Sequence, residues 1–347
     1  MTAIHFTEGT RLGAGRRLSS AMRAFTLTEL LVVIALIVLL VTLLLGALSA
    51  VQSKARETRT VATMQAFANA CDAFQQEQGF YPGVVPENIM ASDADANANG
   101  ISGFSGTENA CLHLMGSAVR QADVGTADFN DLYPAGEGWQ THLFQKPNNN
   151  GIYPVKVNIG RIGDGPVING KAYAPYFTPG EKEFGVAAGQ LSVGMGPQMR
   201  PLPDVLDAWG QPIIYLRRMR SLGPITALNG DAQFDLGPIA SYTKSESLGR
   251  MGGNQLQDSI FNTAPDPLNT LGRILGHPSL SSWDAPNERV IGQARGAYML
   301  LSAGPDGVFF SQKDGPGSPG NPVSDILTDY DAGIIGEYDD VLIFGGD

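Results

Sequence analysis

Ala24-Phe-Thr-Leu-Thr-Glu-Leu-Leu-Val-Val-Ile-Ala-Leu-Ile-Val-Leu-Leu40 is the stretch on which the reading of this chain turns. From Leu30 to Ala50 there is no charged side chain, and only Thr42 and Ser49 are polar. About 21 such residues suffice for a helix to cross a hydrocarbon core of roughly 30 Å. A carboxylate, Glu29, stands at the mouth of this run. A carboxylate beside lipid is costly and is as a rule paired or functional. Four arginines (Arg11, Arg16, Arg17, Arg23) precede the run against the single acid Glu8. The positive-inside rule therefore expects a cytoplasmic N-terminus and an exported body.

Three readings fit the segment. A cleaved signal peptide has an apolar core of about 7–15 residues before its small-residue site; this run is longer, although Ala47-Leu-Ser-Ala50 has the right composition. A plain signal anchor fits the length but gives Glu29 no role. A cut before the apolar run, at Ala24–Phe25, makes Phe25 a new N-terminus and leaves Glu29 four residues behind it.

Past Ala50 the pattern changes without a break. Gln52, Lys54, Arg56, Glu57 and Arg59 are polar, while Val61, Met64, Phe67, Ala68, Cys71 and Phe74 recur at helical spacing. One long helix is predicted, apolar over 25–50 and amphipathic over 51–79, stopped by Gly79 and Pro82. Gly46 gives it either a point of flexure or a place for close helix packing. Residues 84–200 are rich in Gly, Pro, Asn and Asp. They offer a short helix from Thr107, as N-cap, to about Ala122, with Leu112, Met115 and Val119 along one side. They also offer strand-like pieces such as Ile152-Tyr-Pro-Val-Lys-Val-Asn158. Asp204-Val-Leu-Asp-Ala-Trp-Gly-Gln-Pro-Ile-Ile-Tyr-Leu216 reads as a turn and a strand opened by Pro212. Gly296-Ala-Tyr-Met-Leu-Leu-Ser-Ala-Gly-Pro-Asp-Gly307 reads as a strand closed by a turn. Tyr338-Asp-Asp-Val-Leu-Ile-Phe344 reads as a terminal strand.

Composition narrows the function classes. Hydrophobic residues at 43% and charged residues at 16% suit a folded domain. The 43 glycines and 22 prolines imply many turns. Residues 1–24 carry a net +3, so of the total −11 the remainder holds −14. An acidic body lacks the basic footprint of a nucleic-acid binder and is compatible with a hard cation such as calcium. The only cysteines, Cys71 and Cys111, form no CxxC pair, and His5, His113, His142 and His277 are scattered without metal spacing. If the body is exported, Cys71–Cys111 is a candidate disulfide, although spacing alone does not fix it. No GxSxG, HExxH or phosphate loop is present, so no catalytic residue is assigned.

The 24–40 stretch resembles the class III signal of type IV pilins and type II secretion pseudopilins. Asp207-Ala-Trp-Gly-Gln-Pro212, Tyr298-Met-Leu-Leu-Ser-Ala-Gly-Pro-Asp-Gly307 and Tyr338-Asp-Asp-Val-Leu-Ile-Phe344 are similar, in that order, to motifs of the major pseudopilin. The resemblance covers 24–83, about 204–216 and about 296–344; the stretches 84–200 and 217–295 read as insertions. Ala24 stands where the family has Gly, and the leader is longer than the short leaders common in pilins. The resemblance implies cleavage at Ala24–Phe25 by a prepilin peptidase, methylation of the Phe25 amine, and pairing of that amine with Glu29 of a neighbouring subunit. In low dielectric such a pair is strong and register-specific. The alternative for Glu29 is an interfacial side chain without a partner.

Calcium takes six to eight oxygens, and two places offer them. By resemblance, Asp306, Asp339 and Asp340 are the carboxylate ligands of a C-terminal calcium loop, with carbonyls near Leu301, Ser302 and Val308. About 30 residues separate the turn from the paired aspartates, and Asp314, Asp325, Asp329 and Asp331 lie between. The alternative is that Asp306 caps its own turn. The second place is Asp93-Ala-Asp-Ala-Asn-Ala-Asn-Gly100, which starts like an EF-hand loop from Asp95 but has Gly106 at the twelfth position, where Glu is required. A solvated loop is the better reading there.

The expected fold is α+β: a long N-terminal transmembrane and amphipathic helix laid on a small antiparallel sheet, pilin-like, with loop-rich insertions. The function implied by the resemblance is structural. The protein would be a non-enzymatic, single-pass inner-membrane precursor whose body is periplasmic. It would polymerise into the helical pseudopilus of type II secretion, with prepilin peptidase, the inner-membrane platform, minor pseudopilins, membrane lipid and further copies of itself as partners. A surface type IV pilin, a minor tip pseudopilin, and a membrane-anchored periplasmic enzyme or ligand-binding domain stand as the alternatives.

Overall fold

The computed structural model describes residues 26–91, 105–124, 129–146, 150–185, 202, 204–227, 231–235, 267–287, 289–311 and 338–346. The chain divides into two compact units, residues 1–52 and 53–347. Helix α1, Leu27–Gln78, contributes to both.

In the first unit α1 opens at Thr26, whose carbonyl accepts the Leu30 amide at 3.2 Å. Every described side chain from Thr26 to Gln52 is exposed. The helix is long and apolar enough to be a candidate membrane span, and none of its most apolar window is buried.

The second unit is α+β. After α1, its described helices of five or more residues are α2 (Glu87–Ala91), α3 (Gly106–Leu114) and α4 (Pro267–Leu275). Its strands begin with β1 (Ala118–Arg120), β2 (Gln140–Gln145), β3 (Ile152–Val157), β4 (Val167–Ile168), β5 (Lys171–Ala172), β6 (Phe184–Gly185) and β7 (Asp204–Val205). They continue with β8 (Ile214–Arg217), β9 (Thr226–Ala227), β10 (Gly276–Asp284), β11 (Arg289–Ala294), β12 (Tyr298–Ser302) and β13 (Val341–Gly345).

The central sheet is antiparallel, in the order β13-β12-β8, with Leu300 opposite Ile343 on one side and Tyr215 on the other. Alternation along the strands sorts its side chains onto two faces. Tyr298, Leu300, Ile213 and Tyr215 pack with Met64, Phe67, Cys71 and Phe74 of α1. Met299, Leu301, Ile214 and Leu216 pack instead with Ile225, Phe234, Ile274, Leu275 and Val290. All five residues of β12 are therefore buried, each apolar side chain contributing about 1.5–3 kcal/mol.

The amphipathic half of α1 departs from expectation at one position. Met64, Phe67, Ala68, Cys71 and Phe74 are buried, but Val61 is 41% exposed and Thr60 is buried instead. The Thr60 hydroxyl accepts the Ala208 amide at 3.0 Å, so a polar side chain earns its buried place by satisfying a turn. The helix ends where expected. Gly79 takes φ +81°, the left-handed conformation open to glycine, and its amide bonds the Gln75 carbonyl at 2.7 Å.

The described parts of the stretches between the similar motifs are folded into the body. Strands β1-β3-β2 form one antiparallel sheet, β10-β11-β9 another, and β4-β5 and β6-β7 pair as two-stranded pieces. Ala110, Cys111 and Leu114 of α3 join the core beside α1. Phe144, Val155 and Val157 of the β1-β3-β2 sheet join the core on the far face of the central sheet. The short helix is also corrected. Its N-cap is Ser105, not Thr107, through a capping box with Glu108, and it stops at Leu114 rather than near Ala122. Gly116 and Ser117 turn the chain with positive φ, and Ala118–Arg120 is a strand. Thr107 instead donates its hydroxyl to the Ile213 carbonyl at 2.5 Å, fastening α3 to the chain entering β8.

Candidate functional site

Two regions carry the residues that the sequence singles out. The first is the mouth of α1. Ala24 and Phe25 lie outside the described residues, and Glu29 is in the first helical turn. The Thr26 amide donates to Glu29 Oε2 at 2.9 Å, and the Glu29 amide donates to Thr26 Oγ1 at 3.2 Å. These reciprocal bonds are a capping box. A third bond, from the Thr26 hydroxyl to the same Oε2 at 2.8 Å, reinforces it. Within one chain Glu29 thus satisfies the helix start. Its sequence signal is the spacing Thr26-x-x-Glu29.

The second region is the turn after β12. Chain folding brings Asp306, Asp339 and Asp340 to it despite their separation in sequence. Asp306 Oδ1 accepts the Val308 amide at 2.8 Å, which is the turn-capping alternative. Both Asp340 oxygens accept the Phe310 amide, at 2.9 and 3.1 Å. Asp339 lies against Gly304, where a Cβ would come within 2.5 Å of its carbonyl oxygen and 3.0 Å of its Oδ1. Gly304 has φ +66°, so glycine is required there by both conformation and space. Two of the three aspartates expected to hold calcium are thus engaged with backbone amides of this turn. Among the described residues no group of three or more His, Cys, Asp or Glu is placed to hold a metal ion. Asp314, Asp325, Asp329, Asp331 and the Asp93–Gly100 stretch lie outside the described residues.

Asp207 is the residue in this neighbourhood that sequence reasoning passed over. It belongs to a quoted motif, yet its role is visible only in three dimensions. Its Oδ1 accepts the Trp209 and Gln211 amides at 2.9 and 2.8 Å, and its Oδ2 accepts the Ser302 hydroxyl at 2.8 Å. One carboxylate thus holds the 207–211 turn and ties it to the end of β12. Burial raises its pKa, and the hydrogen bonds from Gln211, Ser302, Trp209 and Gly210 oppose the rise.

The candidate disulfide is not formed in this structure: Cys71 and Cys111 are both free and both buried. Burial pushes each thiol well above its ordinary pKa, which suits inert core thiols rather than nucleophiles. His113 is also buried. Its Nδ1 accepts the Gly83 amide at 3.1 Å, and burial, with Arg120 and Arg217 nearby, holds it well below its ordinary value. Trp283 packs partly buried against the core, and Trp209 is half-buried in the Asp207 turn.

No known protein-family profile matches the chain, and neither a curated protein nor a solved structure matches it.

Proposed function

We propose that this chain is the precursor of a structural subunit of a type II secretion pseudopilus, cut by prepilin peptidase between Ala24 and Phe25. One observation carries the reading. The three separated stretches with pseudopilin-like motifs supply α1, β8, β12 and β13, and in the body these elements pack into one helix-on-sheet unit. The exposed apolar run of α1 supports the second part of the proposal. It anchors the precursor in the inner membrane, N-terminus cytoplasmic and body periplasmic. On assembly it moves from lipid to a filament core of packed helices. The Phe25 amine then meets Glu29 of a neighbour, which requires Glu29 to exchange its Thr26 bonds for an intersubunit pair. The proposal gives the chain no catalytic role. It keeps the calcium ion implied by the resemblance as part of the proposal, with Asp306, Asp339 and Asp340 as its carboxylates, which the folded chain brings to one turn.

Mass spectrometry of the N-terminal peptide from native membranes tests the reading. A methylated Phe25 start is the expected result. An intact Met1 start in cells with an active peptidase makes the segment a plain anchor and overturns the proposal. A start at Val51 makes the body a released soluble domain and removes any role for Glu29.

A further inference from the structure

The body takes hold of α1 at Arg59 and Thr60. Among the described side chains of the helix, Thr60 is the first to be buried. Two turns of the body are fastened there. Arg59 Nε and Nη2 both donate to Glu183 Oε1 at 3.3 Å, and the Ala208 amide donates to the Thr60 hydroxyl at 3.0 Å. Glu183 closes the first turn by accepting the Gly180 amide at 3.2 Å, and Asp207 closes the second by accepting the Trp209 amide at 2.9 Å. Lys182 is exposed in the first turn and Trp209 is half-buried in the second. Ten residues separate Thr60 from Ala50, where the uncharged run of α1 ends. As helix they rise about 15 Å, with Lys54 and Arg56 about 6 and 9 Å along that rise. A headgroup layer is roughly 5–8 Å deep.

The chain beyond residue 24 holds a net −14, yet the charges at this end of the body lean the other way: Lys54, Arg56, Arg59 and Lys182 stand against Glu57, Glu181 and Glu183. Lys54 bridges to Glu57 and Arg59 to Glu183, with the two cationic side chains still 72% and 42% exposed. Among the described residues Arg56 and Lys182 form no ion pair. Exposed cations beside a partly exposed indole are the composition of a membrane–water boundary, where phosphates meet the charges and the amphipathic ring sits at headgroup level.

We infer that Lys54, Arg56, Arg59, Lys182 and Trp209 form a collar that seats the body on the anionic phospholipid headgroups of its own membrane. The inference rests on the membrane anchor proposed above and adds a second contact to it, made by the body rather than by the apolar run. Arg56 and Lys182 have their charges open to lipid phosphate. Lys54 and Arg59 keep their carboxylates and turn their exposed stems and remaining donors to the same layer. Because the 180–183 and 207–211 turns are bonded to α1, seating either turn holds the body at a fixed lie on the bilayer.

The test uses the full chain reconstituted into lipid nanodiscs, made either of phosphatidylcholine alone or of phosphatidylcholine mixed with anionic phosphatidylglycerol. Lysine amines are labelled with a water-soluble acylating reagent, and the rate at each site is read by peptide mass spectrometry. Lys54 is carried toward the bilayer by α1 alone, so Lys182, in a turn of the body, is the deciding amine. Each cation at an anionic surface favours the seated state by about fivefold. Labelling of Lys182 is expected to be at least about fivefold slower in discs with phosphatidylglycerol, and to recover its phosphatidylcholine rate in about 1 M salt. Arg56→Gln, a change at an exposed side chain, is expected to weaken the slowing at Lys182. Slowing confined to Lys54, equal Lys182 rates in the two discs, or a Lys182 effect unchanged by salt or by Arg56→Gln overturns the inference. A chain that enters neither disc removes the membrane anchor and the collar together, whereas a chain that enters both without slowing at Lys182 removes the collar alone.

Discussion

The Asp207 carboxylate accepts the Ser302 hydroxyl at 2.8 Å across 95 residues of sequence, both side chains being buried. This bond closes the central sheet, because Asp207 at the same time holds the turn that delivers the chain to β8. Removing the carboxylate leaves two backbone amides and a hydroxyl without acceptors. Hydrogen bonds to charged groups contribute about 1.5–3 kcal/mol each. Asp207→Ala is therefore expected to destabilise the body by roughly 3 kcal/mol, the sum being limited by relaxation and water entry. Ser302→Ala, which removes a single donor, is expected to cost about 1 kcal/mol. Denaturant unfolding of the full chain in detergent, followed by near-ultraviolet circular dichroism, measures both. Equal losses for the two variants would refute the hub role of Asp207.

Asp204 presents the opposite case. It is fully buried in β7, its Oδ1 accepts the Ser105 hydroxyl at 3.2 Å, and its Oδ2 has no hydrogen-bond partner among the described residues. Burial pushes the carboxyl from its ordinary 3.8 up to about 7, with the Ser105 bond opposing. A carboxyl whose folded pKa is raised favours the protonated fold. Its destabilising effect is absent below about pH 4, grows as pH rises through the window, and is complete above about 7. Asp204→Asn keeps the shape and an acceptor for Ser105 while removing the charge. The expected outcome is a melting temperature raised at pH 8, on the order of 5 °C, with no gain at pH 4. Thermal scans at the two pH values decide it, and a variant less stable than wild type at pH 8 sinks the argument.

Where the fold was legible in the sequence, a local cause was at work. The bounds of α1 follow from an apolar run, a helical stripe and a glycine stop. The strands at 152–157, 214–217, 298–302 and 341–345 follow from short apolar runs between turn residues. Errors arose where tertiary bonds outrank pattern. Val61 fits the stripe, but the Ala208 amide draws Thr60 inward. Thr107 looks like an N-cap, but the Ser105–Glu108 box fixes the start. The pairing of β9 with β11 and the buried ion pair of Arg217 with Glu87, 130 residues apart, have no local signature. The acidic turn shows the same division: the motifs group Asp306, Asp339 and Asp340. Which amides two of them cap depends on a turn geometry that spacing does not encode.

The buried His113 makes the acid limb of stability testable. Its folded pKa lies well below 6.5, through burial first and the charges of Arg120 and Arg217 second. The unfolded chain therefore binds the proton more readily than the folded one. The contribution of His113 is complete above about pH 6.5 and is lost progressively as pH falls below it. His142, lowered by burial to about 4, steepens the same limb. Between pH 7 and pH 5 the two histidines are expected to remove stability while protonation of Asp204 restores part of it, so the histidine limb is read as the difference between wild type and variant. His113→Asn retains an acceptor for the Gly83 amide and should flatten part of that loss while lowering stability at pH 7. Urea midpoints at a series of pH values provide the check, and an unchanged slope in the variant argues against the histidine.

Glu29 and Thr26 separate folding from assembly. The capping box fixes the first turn of α1, and loss of an N-cap side chain costs about 1 kcal/mol locally. Neither residue belongs to the body, residues 53–347. Thr26→Ala and Glu29→Gln are therefore expected to leave the thermal unfolding of the body unchanged. Their effects on filaments should differ if Glu29 must trade its Thr26 bonds for the Phe25 amine of a neighbour. Glu29→Gln removes the charge that draws the amine and should abolish filaments. Thr26→Ala keeps that charge, weakens only the competing cap, and should permit them. Electron microscopy of sheared membranes, alongside quantification of the Phe25-processed form, measures both arms. Filaments of normal abundance from processed Glu29→Gln protein would confine Glu29 to the cap seen in the single chain and remove it from the assembly mechanism.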